Sequence, residues 1–230
     1  MAKRIICLLG AAALMASLLV LPASAQSGAG TQCSDLAVPT EVEPGLVLPV
    51  LPAGTYHRLV VAEGTTCASE GPLTIRGGLF IEEGATFVLG SEESPASTGT
   101  ISGGVHAINP ASVQIHFATI NGGIDVHGGS GPFGGPFDIT WNAIEDNNIH
   151  GGATVDGYNG FWFGFIRNHV AGTVNLNNNV LEDTDANEFV TNVVHGSLHC
   201  SGNTPAAQVG DSEGSPNEVT GAKTGECAAV

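Results

Sequence analysis

Apolar and polar positions along this chain alternate in short bursts, and glycine interrupts them at regular intervals. The stretch "INGGIDV" at 120–126 gives the form: an aliphatic residue, a variable one, Gly, a small residue, then aliphatic residues alternating with variable ones. The same heptad starts at 75 ("IRGGLFI"), 101 ("ISGGVHA"), 149 ("IHGGATV"), 170 ("VAGTVNL") and 194 ("VHGSLHC"), with a degraded copy, "VTGAKTG", at 219. First positions lie 26, 19, 29, 21, 24 and 25 residues apart, a solenoid period with room for loops. Positions 1, 5 and 7 alternate with polar or variable positions 2 and 6, as in a strand that buries one face. The glycine is expected at a corner between two short strands, where positive φ or a close backbone approach excludes a side chain.

The register continues upstream of each heptad. Five residues before position 1 stand Ile115, Ile144, Phe165 and Phe189; two residues before it stand Asn147, Asn168, Asn192 and Asn217. An aligned Asn column suits a turn, because Asn tolerates left-handed backbone and bonds both up and down a stack. One unit cannot bury its apolar face alone, but stacked units share a core. The chain is therefore predicted to be all-β, a right-handed parallel β-helix (solenoid) of about six to seven coils. Residues 1–25 read as a signal peptide: Lys3 and Arg4, an apolar run from Ile5 to Leu21, then small residues Ala23 and Ala25 before a cut at Gln26. Residues 26–54, rich in proline, read as an irregular N-terminal lead. The β-helix domain is placed at 55–227, with an N-terminal cap at 55–74 and a C-terminal cap at 201–227.

Cleavage would remove two of six basic residues, leaving Arg58, Arg76, Arg167 and Lys223 against 22 acidic residues, a net −18. Such a chain lacks the basic surface that nucleic acid or anionic lipid requires. No later stretch is apolar enough to span a bilayer, so the mature protein is expected outside the cell and off the membrane. Cys33, Cys67, Cys200 and Cys227 survive cleavage, and an even count in an exported chain points to two disulfides. Of three connectivities, sequence neighbours favour Cys33 with Cys67 and Cys200 with Cys227, stapling each end.

The segments "GTYHRLVVAEGTTC" and "HCSGNTPAAQVGDSEGSPNEVTGAKTGEC", with the Gly-Gly heptads between them, resemble a group of secreted actinobacterial proteins with a pectin-lyase-like right-handed β-helix. The likeness spans roughly 54–227. It implies fold and export, and no reaction to carry over.

Chemistry is expected on the insertions, "HGGSGPFGGPFDITWNA", "DGYNGFW" and "NNNVLEDTDANE", which stacking places on one side of the solenoid. Their rings and carboxylates, above all Trp141, Tyr158, Trp162, Asp138 and Asp156, are the candidates for binding glycan, an extracellular polysaccharide or cell-wall polymer. The competing reading makes these aromatics a cover for the core beneath long loops. In "DTDAN", Asp183, Asp185 and Asn187 have the opening spacing of a calcium loop, although Glu188 stands where that motif has glycine and Val194 where it has a bidentate Glu. Calcium is the one cofactor considered, against a solvated acidic loop. His150 and His195 share position 2 but are separated by Ala171, about 9.6 Å and too far to share an ion. His106 and Asp125 fall on adjacent rungs. Arg167 is expected to pair with Asp146 one rung back, which removes the best cation from lyase chemistry. The residues thus favour a non-catalytic surface or extracellular-matrix protein; the alternative is a polysaccharide lyase or glycoside hydrolase. No Thr-x-Thr ladder suggests ice binding.

Overall fold

A computed structural model describes residues 30–91, 96–130, 141–211 and 214–230. The expected signal peptide, Asp138, Phe133 and Phe137 lie outside the described residues. The described chain is all-β, apart from 3-10 turns at Cys33–Asp35 and Glu226–Ala229, and its strands form three large parallel sheets stacked in register and a two-stranded one of Asn159–Gly160 with Val180–Leu181. Each repeat contributes a strand ending at heptad position 1 (the pre-glycine sheet), a strand at positions 5 to 7 (the post-glycine sheet) and a strand in a third sheet. This is the arrangement expected of a β-solenoid.

The period-two reading predicts the register. Ile75, Ile101, Ile120, Ile149, Val170, Val194 and Val219 are successive Cα partners in the pre-glycine sheet, and all but Val219 are fully buried. In the post-glycine sheet Val61, Ile81, Ala107, Val126, Val155, Leu176 and Cys200 form a second inward column. Ile115, Ile144, Phe165 and Phe189 form a third, from the third sheet. One core runs between the three sheets.

Both roles expected of the Gly-Gly pair occur, one at each glycine. A Cβ on Gly122 would stand 2.6 Å from the backbone of Gly103 in the repeat before it, so the first glycine is required by close approach. The second, Gly123, has φ of 90°.

The Asn column is a hydrogen-bonded ladder at the corner between the third and pre-glycine sheets. The backbone N–H groups of Asn147, Asn168 and Asn192 donate to the Oδ1 atoms of Asn168, Asn192 and Asn217 at 3.1, 2.9 and 3.0 Å. Their Nδ2 groups donate to the carbonyls of Ile115, Ile144 and Phe165 at 2.8, 2.7 and 2.7 Å. The left-handed backbone, however, is not at the asparagines. It falls one residue earlier, at Phe117, Asp146, Arg167 and Thr191, with φ of 55–58°. A second ladder occupies the corner that follows the post-glycine sheet: Tyr158 N–H donates to Asn179 Oδ1 at 3.0 Å and Asn179 N–H to Asn203 Oδ1 at 3.1 Å.

The N-terminal segment is not irregular. Thr31–Gln32 joins the post-glycine sheet, and Val38–Glu43 with Leu46–Val50 forms an antiparallel hairpin at the edge of the third sheet. Pro39 and Pro49 are opposite each other, so at that pair neither strand offers an N–H to the ladder. Cys33 is bonded to Cys67 and Cys200 to Cys227. At the C-terminal end Cys227 and Val230 are buried over the last rung, and Lys223 Nζ donates to the Val230 carbonyl at 2.7 Å. No helix among the described residues is long and apolar enough to cross a membrane.

Candidate functional site

The strand Trp162–Ile166 places Trp162 at its first position, and the backbone of Trp141 is its register partner one rung back. Gly164, two residues on, has no side chain to hold the indole off the sheet: a Cβ there would lie 2.8 Å from Trp162 Cζ3. The ring is half-buried, and its Nε1 donates to the Asp185 carbonyl at 3.1 Å. Indole and acidic loop are thereby fixed beside each other.

The loop is organised by its own carboxylates. Asp183 Oδ1 accepts the Asp185 N–H at 3.0 Å, and Asp185 Oδ2 accepts the Asp211 N–H at 3.1 Å. Carboxylate oxygens of Asp185, Glu188 and Asp211 lie within 4.8 Å of one another, the one such metal-capable group among the described residues. Burial, then a hydrogen bond that the protonated Asp185 carboxyl donates to the Asp211 carboxylate, and the negative charges of Asp211 and Asp183, push the Asp185 carboxyl above its ordinary range; the Asp211 N–H opposes them. Oxygen donors at this spacing fit a hard divalent cation.

Of the calcium trio expected from "DTDAN", Asp185 belongs to this carboxylate group. Asn187 is fully buried, and its Nδ2 donates to the carbonyls of Asn179 at 3.2 Å and Pro205 at 2.8 Å. Its backbone is left-handed, with φ of 57°. Glu188 and Asp211 stand with Asp185. Sequence reading missed Asp211, 26 residues beyond Asp185; that offset, close to one repeat, was the available signal.

Tyr158 also departs from expectation. It is 2% exposed, wedged between Gly129 and Gly160, and its ring meets Phe163 edge-on at 6.3 Å. Burial raises its phenol pKa, opposed by a hydrogen bond with Asn142. Tyr158 is a core residue, because its N–H is held by the second ladder and its ring follows inward. Asp156 lies on the post-glycine sheet, half-buried, where its Oδ1 accepts Asn178 Nδ2 at 2.8 Å.

Two expected pairings are present. His106 and Asp125 are register partners. Arg167 donates from Nε and Nη2 to the Asp146 carboxylate at 2.8 and 2.9 Å, and from Nη2 to the buried Glu145 at 3.3 Å. On the outer post-glycine face, Arg58 lies 3.9 Å over the Phe80 ring, which stacks on His106 at 5.1 Å.

The fold thus defines a class, an all-β chain of parallel sheets stacked in register, with the Trp162 indole tied to an acidic loop. The sequence matches no protein-family model, no curated protein and no solved structure.

Proposed function

We propose that the protein is an exported, non-catalytic surface or extracellular-matrix protein, a right-handed parallel β-helix of six to seven coils, that binds glycan on its loop face. The observation that carries this reading is the half-buried Trp162 indole, anchored through Nε1 to Asp185 beside the carboxylates of Asp185 and Asp211. An anchored ring offers a flat apolar face to the C–H side of a sugar, and adjacent carboxylates accept its hydroxyls. The partner is an extracellular polysaccharide or cell-wall glycan. Export rests on the leader-like residues 1–25 and is supported by two disulfides, the bond type of oxidising compartments.

A hydrolase reading has one observation in its favour: Asp185 holds its proton to higher pH than an ordinary carboxyl, beside a second carboxylate. Against a lyase, Arg167 is committed to Asp146 and Glu145. A glycan array and a polysaccharide-degradation screen on residues 26–230, with and without calcium, separate these. Retention of one glycan class without cleavage is expected, with Trp162→Ala weakening it about tenfold, equivalent to about 1.4 kcal/mol. New reducing ends or unsaturated products would replace the non-catalytic reading.

A further inference from the structure

A concave surface lies away from Trp162, at the corner where the third sheet turns into the pre-glycine sheet. Arg167 is five residues beyond Trp162, about 16 Å along the strand direction, and it lines a depression of about 360 Å³. That volume falls in the lower part of the range of small-molecule sites, about 300–1,000 Å³.

The floor is set by register. His169, Val193 and Glu218 are successive partners in the pre-glycine sheet, so Val193 lies between an imidazole and a carboxylate about 9.6 Å apart. One wall is the left-handed column of Asp146, Arg167 and Thr191, at φ of 58°, 55° and 58°. Glycine fits such a conformation without strain, and a β-branched Thr is an outlier there. Three polar side chains are nevertheless kept at successive corners, all turned to the same depression. The other wall is the returning chain at Ser215 and Pro216, tied down by Thr191 N–H to the Ser215 carbonyl at 2.8 Å and by Ser215 N–H to Thr191 Oγ1 at 3.0 Å.

We propose that this depression is a separate site for an uncharged polyhydroxylated ligand, one sugar residue of a glycan chain. Charge selects the class. The Arg167 guanidinium is neutralised where it stands by Asp146 and Glu145, so it brings no net positive field to the depression. Glu218 supplies acceptors, His169 a ring nitrogen, and Val193 and Pro216 an apolar surface for C–H groups. An anionic sugar would meet Asp146 and Glu218, with Arg167 of the same lining already paired. The site does not depend on the Trp162 reading; with both occupied, a rigid solenoid would hold two glycan strands at once.

The test is an NMR titration of residues 26–230 with neutral methyl glycosides, methyl β-glucoside and methyl N-acetyl-β-glucosaminide, up to about 50 mM, a weak-binding range. Methyl glucuronide serves as the anionic control. Saturable shifts at the Val193 methyls and the His169 ring are expected, weakened at least fivefold by Glu218→Gln and by His169→Ala, and unchanged by Trp162→Ala. Both weakening substitutions are at exposed positions, and thermal melting confirms that each variant is folded. Absence of saturation, equal response to the glucuronide, or no effect of either substitution would overturn the proposal. Loss of these shifts on Trp162→Ala would overturn the independence of the two sites, while failure of the glycan array at Trp162 leaves this test intact.

Discussion

Asn168 meets every demand of a buried amide. Its Oδ1 accepts the N–H and the Nδ2 of Asn147, each at 3.1 Å, and its own Nδ2 donates to the Ile144 carbonyl at 2.7 Å and to Asn192 Oδ1 at 3.1 Å. Removing that amide leaves several interior groups without partners, each of which costs about 1–3 kcal/mol. Asn168→Ala should therefore lower unfolding free energy by about 3 kcal/mol or more, read from urea denaturation. Asn168→Asp keeps the acceptor but removes the donor and buries a charge, so it should be worse. Asp185 makes a different prediction. Its carboxyl pKa is raised, chiefly by burial and then by Asp211, so the protonated form is the one the folded loop favours. That contribution is complete below the ordinary carboxylate range and is lost as pH rises through the raised value. A carbon-detected titration of Asp185 should place its midpoint above that of exposed Asp side chains, and Asp211→Asn should move it down; an ordinary midpoint would remove the basis of the hydrolase alternative.

At the scale of strands and corners, register is the property to challenge. Ile149 stands fully buried between Ile120 and Val170, so Ile149→Asp places an unpaired charge inside the column and should prevent folding. A folded variant with unchanged melting would refute the register. Gly122→Ala tests the corner: its Cβ would meet the Gly103 backbone at 2.6 Å, and neither strand can yield without disturbing the ladder beside it. A loss of about 2 kcal/mol or more is expected in thermal or urea unfolding. These elements were legible because apolar residues recur with period two and Gly and Asn recur with the repeat. What was not legible has a common cause, namely that the signal depends on a neighbouring rung. The left-handed corner residues Phe117, Asp146, Arg167 and Thr191 share no chemistry. Tyr158 sits in an insertion, yet Asn179 from the following repeat draws it into the core. Asp211 joins Asp185 through a return segment with no recognisable motif, and the hairpin at 38–50 was obscured by prolines that oppose each other harmlessly. The candidate site was half readable: Trp162 and Asp185 by type, Glu188 and Asp211 by position alone.

The whole molecule is a stack with two stapled ends. Cys200 sits at the last rung of the inward column and is bonded to Cys227, 27 residues on. On a loop-entropy account, a cross-link enclosing that span contributes about 3–4 kcal/mol. Cys200→Ser, Cys227→Ser and the double variant should lose similar stability, because each breaks the same bond; non-reducing peptide mapping should recover Cys200 joined to Cys227. The ladders carry a further consequence. In both, each N–H points to the Oδ1 of the following rung, so the donors run in one direction along the axis. The second ladder ends at a carboxylate: Glu226 accepts the Asn203 N–H at 3.1 Å and its Nδ2 at 2.7 Å. A terminator that receives donors without passing any on makes the chain editable in units. Duplicating one whole turn, residues 170–193, would add an interchangeable link ahead of an unchanged stop, whereas any fractional insertion would misalign every asparagine beyond it. In evolutionary terms, the molecule can change length by whole links while keeping the same ending.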